Sequence, residues 1–191
     1  MRRLLRRLLL PSAREGSTAD SREPRSPALI PPGLPLPYSW VLTSRLAVGP
    51  LPACEAHWQQ LEQAGLRARF SCCYPHEEGL APAPPHWLSG GVPMPDHRHQ
   101  EPLEPERLAS ALEAAEQLLQ QGTPLYVHCL AGIERSPLIA VGLTARARNL
   151  PLFDALDWVR RCHPAALPLI THLELLERLL AADATLNSGS R

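Results

Sequence analysis

The chain has 191 residues, 45% of them hydrophobic, and equal numbers of basic and acidic side chains. This apolar fraction is enough for the core of one domain with an extension. All nineteen basic side chains are arginine: residues 1–25 hold seven with three acids, and residues 26–191 hold twelve with sixteen acids. A weakly acidic domain without lysine argues against nucleic acid as a partner. No run approaches the roughly 20 apolar residues of an integral membrane span.

The five cysteines form an odd set without the spacing of a metal site, and Cys72 and Cys73 are adjacent. This pattern does not suit a secreted disulfide framework, so we expect a reducing, cytoplasmic location. Cys72 and Cys73 are either buried strand residues, which is the commoner situation, or redox partners of a reactive cysteine elsewhere in the chain.

The first 37 residues have the composition of an extension rather than of a folded domain. Residues 1–10 are basic and amphipathic, with an apolar part too short for a secretory signal. They suit contact with an anionic membrane surface or a transit segment, or else a disordered extension or an unused upstream start, and we favour the last two. Residues 11–37 are rich in proline, serine and glycine, which indicates a linker.

From Tyr38 onwards the sequence alternates between strand and helix signals. Apolar alternation and turn residues predict strands at residues 40–42, 46–49, 66–73 and 125–127 and a short strand within 91–95, with a loop over 74–91. Helical spacing of apolar residues and terminal glycines or prolines predict helices at residues 54–63, 105–120, 137–148, 152–162 and 170–182. This order predicts an α/β domain with a central, mostly parallel sheet flanked by helices and a site at the carboxyl ends of the strands.

One stretch carries the chemistry. A strand ends at His128-Cys129, and a helix follows Ser136-Pro137, with Ser136 as the expected N-cap. We call the seven residues 129–135 between them the Cys-Arg loop. Such a loop directs backbone N–H groups and the positive end of the helix dipole at one point, which suits phosphate, and Arg135 adds a bidentate donor. Cys129 in the same field is expected to be a thiolate near neutral pH.

These residues resemble the signature of the cysteine-dependent protein phosphatases, His-Cys-x5-Arg-Ser/Thr, and the Ala-Gly pair and the Arg-Ser-Pro ending are most similar to the dual-specificity branch. We therefore interpret Cys129 as the nucleophile, Ser136 as a hydrogen-bond donor to it, and His128 as a residue that hydrogen-bonds the loop and fixes its shape. The phosphate-binding residues are predicted to be Leu130, Ala131, Gly132, Ile133, Glu134 and Arg135. The alternative is an inert buried Cys129 with Arg135 as a surface charge.

Asp96 follows a proline and precedes Cys129 by 33 residues. The resemblance implies that an aspartate at about this separation donates a proton to the leaving oxygen, a role that typically contributes ~10²–10⁴-fold. A turn-forming role after proline is the alternative, and Glu101 and Glu104 are the fallback acids. His97-Arg98-His99 lacks a cysteine or carboxylate cluster to complete a metal site, so we expect no metal and an exposed rim instead, with His97 or Arg98 near the substrate.

Near the C-terminus the chain departs from the resembled family. Members often have Arg-Pro where this chain has His163-Pro164, and a nearby glutamine or asparagine that positions water where this chain has Thr171 and His172. The residue that assists the second half of the reaction is therefore open.

The resemblance implies a two-step hydrolysis of phosphotyrosine and phosphoserine or phosphothreonine in proteins through a phosphocysteine, with no cofactor. Leu130, Ile133 and Glu134 put no basic residue inside the loop, which argues against phosphoinositide or RNA-triphosphate substrates. The alternatives are a catalytically weak phosphate-binding pseudophosphatase and a phosphatase for a non-protein monoester. A sulfur transferase or arsenate reductase fits the loop and the position of Asp96 less well. We expect a monomer with an extension at residues 1–37, a phosphatase domain at 38–185 and a disordered tail at 186–191.

Overall fold

The computed structural model describes residues 30–31, 33–78 and 81–188, with side chains up to residue 183. Residues 1–29 and 32 of the predicted extension, and residues 189–191 of the predicted tail, therefore lie outside the described residues. The described part has five strands: β1 Ser39–Leu42, β2 Leu46–Pro50, β3 Ala68–Ser71, β4 Leu88–Gly91 and β5 Leu125–Cys129. Its helices are α1 Glu55–Gln63, α2 Pro105–Gln120, α3 Arg135–Arg148, α4 Leu152–Cys162 and α5 Ile170–Ser188.

The strands form a mixed sheet in the order β1-β2-β5-β3-β4, in which β1 is antiparallel to β2 and the other three pairings are parallel. The prediction of a mostly parallel sheet flanked by helices is thus confirmed. Pro50 pairs with Cys129, and Ser71 pairs with His128. Because these strands run the same way, their carboxyl ends meet at one edge, and Cys129 lies at that edge.

Alternate residues of the central strands enter two separate cores. Leu125 and Val127 of β5 face a large core that also contains apolar residues of α2, α3, α4 and α5. Tyr126 faces the opposite core with Trp58 and Leu61 of α1. Among the described residues no helix is both long enough and apolar enough to cross a bilayer.

Several predicted boundaries are wrong. The edge strand β4 begins at Leu88, inside the stretch predicted to be a loop, and ends before Val92. Packing begins ahead of Tyr38, because Leu36 is 2% exposed in the smaller core and exchanges hydrogen bonds with the Gln60 side chain. At the other end, α5 continues through residues 186–188, which were assigned to the tail.

Candidate active site

The Cys-Arg loop connects the carboxyl end of β5 to the first residue of α3, Arg135. Gly132 makes its tight turn with φ +72°. A Cβ at this position would lie 2.6 Å from Gly49 C and 2.7 Å from Pro50 N, which are backbone atoms of the neighbouring strand. Both the left-handed backbone and the lack of space therefore require glycine here.

Three contacts from other segments hold the carbonyl groups of the Cys-Arg loop. The amide of Leu51 donates to Leu130 O at 3.3 Å, and the amide of Leu167 donates to Ile133 O at 2.7 Å. The His163 Nε2 atom lies 2.8 Å from Gly132 O, and its Nδ1 lies 3.0 Å from the Ser39 hydroxyl. Since a carbonyl only accepts, Nε2 is the donor. These contacts fix the backbone of the loop, as a nest of amides for an anion requires.

The side chain of Ser136 contacts the candidate nucleophile. Its Oγ lies 3.2 Å from Cys129 Sγ and 3.3 Å from Gly49 O, and both Cys129 and Ser136 are buried. The prediction that Ser136 is the N-cap is wrong: α3 begins at Arg135, two residues before the predicted start at 137, and its N-cap Glu134 makes no side-chain cap hydrogen bond. The hydroxyl turns back towards the sulfur, as expected for its second predicted role.

Arg135 is 1% exposed and makes a two-pronged ion pair with Glu77, with N–O distances of 2.6 and 3.0 Å. Its Nη2 also lies 2.9 Å from Asp96 Oδ2. Burial alone would lower the pKa of Arg135, but the hydrogen bonds to Glu77 and the charge of Cys129 raise it, so the guanidinium stays charged. The alternative of a surface charge at Arg135 is therefore wrong, and a buried cation faces the loop.

Glu77 is a site residue that the sequence interpretation missed. Its carboxylate, only 5% exposed, pairs with both Arg135 and Arg98. Burial alone would raise the pKa of Glu77, but hydrogen bonds from Arg135 and Arg98 lower it overall. The signal in the sequence is weak: an acidic residue follows β3, whose carboxyl end lies at the same sheet edge as Cys129.

Asp96 is 8% exposed and accepts hydrogen bonds from Arg98 Nε at 3.0 Å and Nη2 at 2.6 Å. The Nδ1 atom of His99 lies 2.9 Å from the same carboxylate. Burial alone would raise the pKa of Asp96, but the hydrogen bonds from Arg98 and the charge of Arg135 hold it well below its usual range. The structure brings Asp96 to Arg135, as its predicted role requires, but holds it as a carboxylate.

His128 does not hydrogen-bond the Cys-Arg loop, so the role predicted for it is wrong. The ring is fully buried; Nδ1 has no partner within the described residues, and Nε2 lies 3.4 Å from Arg69 Nη1. Burial first, then the charges of Arg69 and Arg135, lower its pKa to about 3. His128 is thus neutral and packs against Tyr126 and Trp58, and the side chain that holds the loop belongs to His163.

The side chains of the Cys-Arg loop point in different directions. Leu130 packs with Leu51 and Cys73 below the loop, whereas Ala131 and Ile133 are exposed. Glu134 accepts hydrogen bonds from the amide and the ring of His97, which ties the Asp96 segment to the loop.

Asp96 pairs with Arg135, whereas neither of the two fallback acids, Glu101 and Glu104, has such a pair in the described structure. Glu101 is bonded to Tyr74 and Arg107, and Glu104 is exposed at the start of α2. Ligand atoms of Asp96, His97 and Glu134 lie within 4.8 Å of one another. A cation at that point would have to displace Arg98 and Arg135 from the carboxylate of Asp96.

The remaining cysteines and the C-terminal residues complete the surroundings. Burial raises the pKa of Cys73 to about 12 and raises that of Cys72 well above its usual range, so both thiols stay protonated and react slowly with other sulfur atoms. His172 is buried at the start of α5; burial lowers its pKa, and the charges of Glu134 and Asp96 act in the other direction. Thr171 is exposed.

No family model matches the chain. Its structure is similar to that of human tyrosine phosphatase-like serine/threonine/tyrosine-interacting protein, with 17% identity, a TM-score of 0.66, and coverage of 77% of this chain and 97% of that one. Human DUSP28 is 26% identical, with a TM-score of 0.61 and coverage of 80% and 95%. PTPMT1, solved in complex with PI(5)P, is 17% identical, with a TM-score of 0.65 and coverage of 77% and 98%. The chain therefore has the dual-specificity phosphatase-like fold of the protein-tyrosine phosphatase superfamily.

Proposed function

We propose that this chain is a cysteine-dependent phosphoprotein phosphatase that hydrolyses phosphotyrosine and phosphoserine or phosphothreonine through a phosphocysteine intermediate. The observation that carries the proposal is the joint placement of three groups at one sheet edge. Cys129 Sγ lies at the start of the Cys-Arg loop, which turns at Gly132, and the Ser136 hydroxyl contacts this sulfur. The charged Arg135 is buried at the other end of the loop.

In the first step the Cys129 thiolate attacks phosphorus, a sulfur–phosphorus bond forms, and the bond to the leaving oxygen breaks. Loop amides and Arg135 stabilise the charge on the non-bridging oxygens. Asp96 gives its proton to the leaving oxygen.

Asp96 needs a proton for this step, although Arg98 and Arg135 lower its pKa in the arrangement described above. A bound phosphate competes with Asp96 and Glu77 for Arg135. Once Arg135 turns to the substrate, Asp96 loses one cation and gains a neighbouring dianion, and both changes raise its pKa. Substrate binding thus raises the pKa of Asp96 and prepares it to act as the acid.

In the second step a water oxygen attacks phosphorus, the sulfur–phosphorus bond breaks, and Asp96, now a carboxylate, takes the proton of the water. Cys129 leaves as a thiolate. The Ser136 hydroxyl stabilises that negative charge and makes the sulfur a better leaving group.

Two other functions have an observation in their favour. Arg135 already pairs with Glu77 and Asp96, and a ligand must first break these pairs. This observation favours a catalytically weak phosphate-binding module. Similarity to PTPMT1 in complex with PI(5)P favours a non-protein phosphate monoester as substrate. Against the latter, the Cys-Arg loop itself carries Glu134 and no basic residue before Arg135.

The test is turnover of 4-nitrophenyl phosphate and of phosphotyrosyl and phosphothreonyl peptides in EDTA. We expect release of phosphate without added metal, inhibition by vanadate, and no turnover by Cys129→Ser. Phosphate release by Cys129→Ser, or a need for a divalent metal, would refute the scheme. Vanadate binding without turnover would identify the binding module instead.

A further inference from the structure

Three of the six large apolar side chains that are exposed in the described part of the chain lie around the Cys-Arg loop. Ile133 belongs to the loop and is 38% exposed, whereas Leu167 and Ile170 are 61% and 62% exposed. The hydrogen bond from the Leu167 amide to Ile133 O, at 2.7 Å, holds the first two side by side. Ile170 follows at the first position of α5, after the buried Pro168. We call Ile133, Leu167 and Ile170 the apolar rim.

The position of the apolar rim separates it from ordinary exposed apolar residues, which are scattered singly on most proteins. Its first member is part of the loop that is proposed to hold the phosphate. A group bound next to the phosphorylated side chain would cover the rim in the same event. Through Ile133, and through Leu167 that is hydrogen-bonded to it, the rim adjoins the proposed substrate site.

The charges around the apolar rim distinguish a peptide from a membrane. Glu134 follows Ile133, and Glu174 is exposed one helical turn after Ile170, on the same face of α5. The cations of the neighbouring helices are Arg160, which donates to Ala166 O, Arg161, which is paired with Asp157, and the exposed Arg178, one helical turn after Glu174. An anionic membrane surface attracts clusters of basic residues, and this mixed set does not form one. A peptide complements this surface when it has an aliphatic residue for the apolar rim followed by a basic residue that pairs with Glu174.

We infer that the apolar rim is a specificity-determining surface that binds an aliphatic side chain flanking the phosphorylated residue of a protein substrate. The inference rests on the proposed phosphatase function and names the sequence context that the same site prefers. The aliphatic group removes Leu167 and Ile170 from water, and the backbone between them, fixed by the hydrogen bond to Ile133, needs no rearrangement. An aryl phosphate without flanking residues does not reach the rim.

The experiment uses the full chain and compares wild type with the double variant Leu167→Ser, Ile170→Ser. The matched control is Phe153→Ser, which also removes a side chain exposed to a similar extent, 58%. Phe153 lies at the start of α4, roughly 15 Å along the helix from its end beside His163. Substrates are 4-nitrophenyl phosphate and phosphotyrosyl peptides that carry leucine or serine at each position flanking the phosphotyrosine.

Wild type and Phe153→Ser are expected to have a roughly fivefold to tenfold higher kcat/KM for a leucine peptide than for its serine counterpart. The double variant should lose this preference and keep its activity on 4-nitrophenyl phosphate, because serine at position 167 retains the backbone amide that donates to Ile133 O. An equal preference in the double variant and in wild type overturns the inference while the phosphatase function stands. Absence of turnover of every substrate by wild type would instead refute the proposed function.

A final arm uses phosphatidylcholine vesicles that contain phosphatidylinositol 5-phosphate. The inference predicts that the double substitution leaves any turnover of these vesicles unchanged. If the double variant loses vesicle turnover while wild type does not discriminate between the peptides, the apolar rim is a membrane contact and the inference is wrong.

Discussion

In the proposed mechanism, the hydroxyl of Ser136 matters most when the Cys129 sulfur carries negative charge and leaves phosphorus. We predict that Ser136→Ala slows hydrolysis of the phosphocysteine by roughly 10–100-fold, because a hydrogen bond to a charged group is worth about 1.5–3 kcal/mol. Stopped-flow measurement with 4-nitrophenyl phosphate should then show a fast burst of nitrophenol followed by slow turnover.

The control for this change is Thr144→Val, which removes another buried hydroxyl of α3, one that bonds Ala140 O and not the sulfur. It should leave the burst and the steady state as in wild type. A Ser136→Ala variant whose first step slows as much as its second would show that the hydroxyl does not serve the leaving sulfur.

Arg98 is a second single residue with a testable effect, because it controls the pKa of Asp96. Its hydrogen bonds lower the pKa of Asp96, so Arg98→Ala should raise that pKa. Since the acid must be protonated in the enzyme–substrate complex, kcat falls as pH rises through the pKa that Asp96 has in that complex, and the alkaline limb should move to higher pH in the variant. The measurement is a pH profile of kcat with phenyl phosphate, whose poor leaving group needs the acid.

Arg107→Ala is the matched control, because Arg107 pairs with Glu101 and contacts Tyr74 rather than Asp96. Its profile should match that of wild type. A limb that stays in place in Arg98→Ala, or moves to lower pH, would contradict the role of Asp96 as the acid.

Single residues were predictable from sequence where the chemistry is local. Cys129, Ser136 and Arg135 lie within eight consecutive residues, so one motif names them all. Glu77 and His163 come from distant segments, and only the folded sheet edge brings them to Arg135 and Gly132. His128 was misassigned because its neighbour in sequence is the proposed nucleophile, although strand alternation turns its ring to the opposite face.

At the scale of elements, the turn at Gly132 decides whether β5 and α3 form a site. We predict that Gly132→Ala abolishes measurable activity and lowers stability by roughly 2 kcal/mol or more, since a left-handed non-glycine residue costs about 1–3 kcal/mol and the Cβ also meets the backbone of β2. Thermal unfolding and kcat/KM with 4-nitrophenyl phosphate measure the two effects.

Gly65→Ala separates strain from crowding, because Gly65 has φ +89° and no atom within 4 Å of an added Cβ. It should lose about 1 kcal/mol of stability and keep full activity. If Gly132→Ala behaves in the same way as Gly65→Ala, the close approach of the Cys-Arg loop to β2 is not required for function.

The helices were predictable because their periodicity spans several turns, and α4 begins and ends at the predicted residues. The edge strand β4 was not, since Leu88-Ser-Gly-Gly has no alternation and its residues are largely exposed. The hydrogen bonds to β3 hold β4 as a strand, although its own sequence does not favour one.

At the scale of the whole molecule, the pair between Glu77 and Arg135 connects the segment after β3 to the start of α3. Glu77→Gln leaves a buried cation with less compensation and should lower the free energy of unfolding by roughly 3 kcal/mol at neutral pH. Because the pKa of Glu77 is lowered by folding, its contribution is fully present above the ordinary value near 4.5 and is lost as pH falls through the folded value. Urea unfolding at several pH values should show the loss shrinking below pH 4.5.

Glu78→Gln is the control, since Glu78 pairs with the partly exposed Arg69 and should contribute at most about 1 kcal/mol. An equal effect of both variants at neutral pH would mean that the pair with Arg135 does not link the two segments.

The architecture of the whole domain was predictable from the order of elements, because parallel strands joined through helices place their carboxyl ends together. The ion-pair network above that edge was not, since its members Glu77, Asp96, Arg98 and Arg135 belong to three separate segments.

Detection of the covalent phosphocysteine at Cys129 decides whether the proposed mechanism is right. Wild type and Ser136→Ala are mixed with a phosphotyrosyl peptide, quenched in acid within the burst phase and digested for mass spectrometry. We expect phosphate on the Cys129 sulfur, at higher occupancy in Ser136→Ala and absent from Cys129→Ser. Turnover with Cys129 unmodified, or phosphate on another residue, would contradict it.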